Sequence, residues 1–308
     1  MRLNDLELAA LTAWRHDVNG DGTRAAPDNL DSWIGLALRL ALLASRHVRS
    51  RRLGDLDGPV DFKPDRSPLT AVELHVEQII MRELARAPAP VTFIGEETSD
   101  ADCANRVTLA VDPIDGTWSL LNRTETAATS LALARDGQTF LGVVANPATG
   151  EIAYAAEGRV PRLLQLSTFG EADRAVDLPI PPAGPEGLLV SLHPQRAAGP
   201  VAKALARAWQ EGELDMVRSA GGAPSLGLLE VAKGNFVYVN LWDRRESAAW
   251  DLAAGLMLVR TAGGEAVDLD GQPVCHIGHR GPFIAALDAT DRARVVELTR
   301  NALAAPGK

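Results

Sequence analysis

Val107-Thr108-Leu109-Ala110-Val111-Asp112-Pro113-Ile114-Asp115-Gly116-Thr117 is the stretch on which the reading of this chain turns. Residues 107–111 are apolar and rich in β-branched side chains, so they read as a strand, and the acidic segment follows directly. In open α/β sheets ligands bind at the carboxyl ends of strands, which makes Asp112 and Asp115 candidate ligands rather than ordinary loop acids. Asp115-Gly116-Thr117 opens a turn whose backbone N–H groups have no intrahelical partner and suit phosphate oxygens. Gly116 lets a phosphate approach closely, and the Thr117 hydroxyl can orient a water.

Working outward, residues 91–94 form a second short apolar strand that ends in Gly95-Glu96-Glu97. Far downstream, Trp250-Asp251-Leu252-Ala253-Ala254-Gly255 places a carboxylate at the start of an apolar helix. Glu96, Asp112, Asp115 and Asp251 can therefore meet at one place. A carboxylate set without His or Cys fits a hard divalent cation such as Mg²⁺, which completes its shell with water and substrate phosphate. Two such ions ~3.5 to 4 Å apart bind both the attacking and the leaving oxygen of an in-line phosphoryl displacement, with Asp112 suited to bridge them. Taken singly, Asp115 and Asp251 also read as helix N-caps and Glu96-Glu97 as a solvated pair. Their combination in this order favours the metal site.

The rest of the chain alternates helix and strand. Leu30, Trp33, Ile34, Ala37, Leu40, Ala41 and Ala44 recur at helical spacing, predicting an amphipathic helix over residues 29–51. Ser67 and Thr70 precede a second helical pattern, which Pro88 and Pro90 stop. Strands are predicted over residues 129–134, 140–145 and 151–155, joined by Asp-Gly and Asn-Pro turns as a meander. The proline-rich residues 177–187 mark a seam. Beyond it come a strand (188–192), helices (200–210 and 226–233), a strand (236–241) and a helix (251–261). The expected organisation is an extension over 1–28, an α+β half over 29–186 and an α/β half over 187–308, stacked as a layered α/β sandwich.

Composition narrows the function classes. Of 308 residues, 46% are hydrophobic and 23% charged, which is a globular balance, and no apolar run reaches membrane-spanning length. Forty acidic against 31 basic residues give a net charge of -9, so diffuse attraction to nucleic-acid phosphates is not the working principle. Two cysteines, Cys103 and Cys275, are too few for a secreted disulfide framework, and MRLNDLELAA lacks a signal-peptide pattern; a cytoplasmic location is expected.

With its three acidic motifs in this order and separation, the chain resembles the inositol monophosphatase superfamily of Mg²⁺-dependent, lithium-sensitive phosphatases, over roughly residues 29–280. The resemblance implies an α-β-α-β-α sandwich, commonly dimeric. It implies two or three Mg²⁺ ions per site, held by Glu96, Asp112, the carbonyl of Ile114, Asp115 and Asp251, and an attacking water positioned by Thr117 with Glu96. Gly116 and Thr117 would cradle the phosphate. Lys63-Pro64-Asp65-Arg66-Ser67-Pro68-Leu69-Thr70 resembles the family's lysine-containing loop, and Glu73, where the family usually has Asp, stands in the place of a ligand to a further metal.

The activity so implied is hydrolysis of a small phosphorylated polyol or sugar. Asn240 occupies the place where inositol-preferring members carry a glutamate that contacts sugar hydroxyls, which predicts broad specificity. Arg244 and Arg245 can grip a second phosphate bidentately, so a bisphosphate nucleotidase, like a histidinol or fructose-bisphosphate phosphatase, is an alternative. A regulatory partner of transcription machinery is a further one. Asp17 to Asp28 matches only the first half of a calcium loop and reads as a polar turn. Cys275, His276 and His279 lack a fourth ligand nearby, and the histidines form no triad with a Gly-x-Ser-x-Gly serine.

Overall fold

The structure, a computed structural model, describes residues 7, 29–53, 60–64, 67–98, 105–166, 174–181, 187–193, 199–219, 221–241, 248–274, 279 and 281–304. Helix α1 (Leu30–Leu53) buries Trp33, Ile34, Ala37, Leu40, Ala41 and Ala44, the stripe its spacing predicts. A two-stranded hairpin, β1 (Asp61–Phe62) with β2 (Pro68–Leu69), leads into α2 (Ala71–Glu83). Thr70 is the N-cap of α2, and its N–H donates to Glu73 Oε2 at 2.5 Å. Val72, Val76 and Ile80 recur at helical spacing and are buried in the same apolar cluster as the α1 stripe.

Seven strands form one sheet in chain order: β3 (Val91–Gly95), β4 (Val107–Asp115), β5 (Ala128–Arg135), β6 (Gln138–Asn146), β7 (Glu151–Ala156), β8 (Arg162–Gln165) and β9 (Arg174–Asp177). β3 and β4 are parallel and every later pair is antiparallel, so the predicted meander is present and two strands longer. The short helix α3 (Thr117–Leu121) interrupts the run between β4 and β5. A second sheet has the order β11-β10-β12-β14-β13, from β10 (Leu189–Leu192), β11 (Met216–Ser219), β12 (Val237–Asn240), β13 (Glu265–Asp268) and β14 (Phe283–Ala286). Its helices are α4 (Gly199–Gln210), α5 (Pro224–Ala232), α6 (Ala249–Thr261) and α7 (Ala289–Ala304).

The layers follow from which faces are apolar. α1 and α2 cover one face of the seven-stranded sheet, α5 and α6 lie between the two sheets, and α4 and α7 cover the outer face of the five-stranded sheet. This is the α-β-α-β-α sandwich. Three apolar clusters fill the four interlayer spaces: one around Trp33, Leu109 and Leu131, one around Ala110, Leu228 and Leu258 that reaches both sheets through the central helices, and one around Val190, Leu205 and Val295. Leu109 and Ala110 belong to different clusters because β4 is buried on both faces, which is why its sequence is continuously apolar rather than alternating. Lys233, at the end of α5, ties the central layer to the first sheet through bonds of 2.9 Å to both oxygens of Glu151.

One boundary differs in a way that matters. The sequence predicts the strand to end at residue 111, because proline cannot donate to a ladder. β4 instead runs through Pro113 to Asp115, with a register shift against β5 between Asp112 and Asp115. The irregularity absorbs the missing donor and delivers both carboxylates from the strand itself.

Candidate metal and phosphate site

Asp112 and Asp115 leave the irregular end of β4, and Asp251 lies in the first turn of α6 in the layer beneath. One carboxylate oxygen from each lies within 4.8 Å of the others, and all three residues are buried. Backbone amides fix the three groups. Asp112 Oδ1 accepts from the N–H of Ile114 at 2.8 Å, Asp115 Oδ2 from the N–H of Ser225 at 2.8 Å, and Asp251 Oδ2 from the N–H of Ala248 at 2.7 Å. Ser225 is the second residue of α5, so Asp115 answers a free donor at that helix's positive end, while Asp251 does the same for its own helix.

Burial and mutual repulsion act in one direction. Burial raises the Asp112 carboxyl well above the usual carboxylate range, and the charges of Glu96, Asp115 and Asp251 add to it. Asp115 is raised in the same way, by burial and then by Asp251, against the opposing bond from Ser225. Burial pushes Asp251 up to about 7, with the Ala248 bond opposing and Glu96 adding. Ionising three such groups together requires a compensating cation, and an all-oxygen donor set fits Mg²⁺.

Around this centre stand the residues of the other motifs. The Gly95-Glu96-Glu97 turn is stitched to β4 by the N–H of Glu96 donating to the carbonyl of Val111 at 3.1 Å. Lys63, from the hairpin segment, places its Nζ 2.5 Å from both Glu96 Oε1 and Glu97 Oε1. Burial alone would lower the Lys63 pKa, but its bonds to Glu96 and Glu97 outweigh that and hold the ammonium charged. Glu97 is pushed up to about 7, by burial first and by Glu96, with Lys63 opposing.

Gly116 is the N-cap of α3 at φ 90°, a left-handed conformation open to glycine, and a Cβ there would lie 2.9 Å from the Thr126 carbonyl. Thr117, next in line, donates its hydroxyl to Glu73 Oε1 at 2.7 Å and lies 3.3 Å from the Ile114 carbonyl. The carboxylate bonded to Thr117 is thus Glu73, while Glu96, expected to position the attacking water together with Thr117, is bonded to Lys63. Glu73 is buried, and burial raises its pKa against the bonds from Thr117 and Thr70.

The remaining candidates divide. Asn240 is fully buried in β12, two residues from Tyr238 and therefore on the same face of the strand; the charges of Asp115 and Asp251 reach Tyr238. Arg244, Arg245, Cys275, His276 and the segment 17–28 lie outside the described residues. His279 is described, with its ring against Phe283 at 6.1 Å between centroids. Two residues with evident roles in the geometry escape sequence reasoning. Ser225 was signalled only by the preceding Pro224, a helix-start residue that leaves the next N–H free. Glu77 resembles any solvent-facing acid of an amphipathic helix.

The sequence profile of the inositol monophosphatase family matches residues 29–303. An inositol-1-monophosphatase of Rhizobium meliloti (strain 1021) is 35% identical over 220 residues, covering 70% of this chain and 75% of that protein. A histidinol-phosphatase of Mycobacterium tuberculosis is 31% identical over 252 residues, covering 79% of this chain and 90% of that protein. Among solved structures, the Thermotoga maritima IMPase superposes with a TM-score of 0.70 at 22% identity, covering 88% of this chain and 98% of that one.

Proposed function

The chain belongs to the inositol monophosphatase family and is a phosphatase of that kind; on that premise we propose that it hydrolyses monoesters of small polyols and sugars with Mg²⁺ held by Asp112, Asp115, Asp251, Glu96 and the Ile114 carbonyl. The observation that carries the proposal is the convergence of three buried carboxylates within 4.8 Å, each with one oxygen tied to a backbone amide and the pair of oxygens thereby fixed in direction. Bound there, Mg²⁺ supplies Lewis acidity and a more acidic water, two or three ions being the family expectation.

The chain's own residues do the rest. Gly116 and the free N–H groups at the start of α3 receive phosphate oxygens, although α3 is too short for its dipole to carry the binding alone. Thr117 donates its hydroxyl hydrogen bond to Glu73, so its oxygen is left with lone pairs that accept a hydrogen bond from the attacking water and aim it. Glu73 replaces the usual Asp and reaches Thr117 directly; it is the candidate ligand to the weaker metal position. No side chain of the set is a motif nucleophile, in keeping with direct attack by water.

Asn240 has no charge to offer sugar hydroxyls, and losing a charge-assisted contact costs about 1.5 to 3 kcal/mol. Broad specificity follows, with inositol 1-phosphate accepted but not strongly preferred. A homodimer in the cytoplasm completes the proposal. The test is kcat/KM with Mg²⁺ for inositol 1-phosphate, fructose 1,6-bisphosphate, histidinol phosphate and 3′-phosphoadenosine 5′-phosphate. The proposal expects the polyol and sugar esters within about tenfold of one another. A nucleotide advantage above roughly a hundredfold contradicts it.

A further inference from the structure

Glu77 lies one helical turn beyond Glu73 on α2, on the same face, and both are buried. Glu73 serves Thr117. Glu77 serves the turn that carries Glu96: its Oε1 accepts from the N–H of Glu97 at 3.0 Å and its Oε2 from the Thr98 hydroxyl at 2.5 Å, with the Thr98 N–H adding a further bond. The carboxylate packs against Gly95, where a Cβ would lie 2.2 Å from Oε1, so glycine at that position makes room for this acid. The turn is closed on itself by the N–H of Gly95 donating to the Thr98 carbonyl at 2.7 Å. Filling this space does not require a carboxylate, and burying one beside Glu96 and Glu73 is unfavourable. What requires it is the set of donors of the turn, which an apolar side chain would leave unsatisfied.

We propose that Glu77 is a positioning residue of the metal site: by gathering the donors of residues 97 and 98 it fixes the turn so that Glu96 is presented beside Asp112. The inference rests on the reading of Glu96 as a metal ligand. Outer-shell partners of metal ligands set affinity, and losing one costs 10- to 100-fold. Glu77 therefore governs how tightly Mg²⁺ binds, and leaves turnover at saturating Mg²⁺ close to its original value.

The test is calorimetric titration of Mg²⁺ into the metal-free full chain and its Glu77→Ala, Glu77→Gln and Thr98→Val variants, alongside Mg²⁺-dependent turnover. Glu77→Ala is expected to raise the Mg²⁺ Kd at least about tenfold, with kcat recovered at saturating Mg²⁺. Glu77→Gln keeps one carbonyl acceptor and shifts Kd less, and Thr98→Val, which removes one donor at a surface position, shifts it in the same direction. If Glu77→Ala fails to fold, the other two variants carry the comparison. Folded variants with the unaltered Kd, or a loss confined to melting temperature, overturn the inference. If the unsubstituted chain binds no Mg²⁺, the metal-site reading falls and takes this inference with it.

Discussion

The Thr117 hydroxyl and the Glu73 carboxylate, 44 residues apart, are joined by a 2.7 Å hydrogen bond that links the first residue of α3 to the first turn of α2. The bond decides which way the threonine proton points and so what its oxygen can do for a water. Thr117→Val keeps the shape and removes the hydroxyl, and is expected to lower kcat about a hundredfold with the substrate KM little changed. Glu73→Gln should lose less, since its amide can still accept from Thr117. Steady-state phosphate release, with far-UV circular dichroism as the folding control, checks both. Unaltered kcat in Thr117→Val would remove the hydroxyl from the mechanism.

Magnesium binding should be coupled to proton release. Asp251 is pushed up to about 7 in the metal-free fold, so between its ordinary pKa near 4 and pH 7 the folded chain holds a proton that the unfolded chain has lost. Metal-free stability therefore falls as pH rises through that window, while Mg²⁺ affinity, which needs the ionised form, rises. Thermal melts with and without Mg²⁺ should show a larger metal-induced increase at pH 8 than at pH 5.5. An increase independent of pH contradicts the burial argument.

His193 gives the opposite slope. Burial lowers its pKa to about 4, and its Nδ1 lies 3.0 Å from the Tyr238 hydroxyl. Below pH ~6.5 the unfolded imidazole takes up a proton that the folded one refuses until about 4, so this group's contribution is lost as the solution is acidified across that range. The shift corresponds to roughly 3 kcal/mol at most. Urea unfolding at pH 7 and pH 4.5 should show a smaller acid loss in His193→Gln than in the unsubstituted chain; equal losses would dismiss the histidine as the cause.

What the sequence made legible was whatever depended on local pattern. The stripe of α1, the meander of β5 to β7 and the three carboxylates at strand or helix ends were readable because burial imposes periodicity and turn residues punctuate it. β11, with a largely exposed edge pattern, and the four-residue strands β8, β9 and β13 carried too few apolar residues to register, β14 is apolar throughout but too short to show a period, and α7 presents a mostly polar surface broken by Val295 and Val296. The carry of β4 through Pro113 was hidden because proline ordinarily ends a central strand. Partnerships were the least legible. Thr117 with Glu73, Asp115 with Ser225 and Glu77 with the Glu97–Thr98 backbone are set by how distant segments pack, and no spacing rule reports them.

Asp112 is buried, amide-held and within reach of both Asp115 and Asp251. Asp112→Asn preserves size and the Ile114 contact but removes the charge a cation needs. Phosphate release from inositol 1-phosphate at saturating Mg²⁺ is the measurement. The expected result is a loss of at least about a thousandfold in kcat/KM, equivalent to about 4 kcal/mol of transition-state stabilisation. Full turnover in purified, folded Asp112→Asn would contradict the assignment of this cluster as the catalytic metal site.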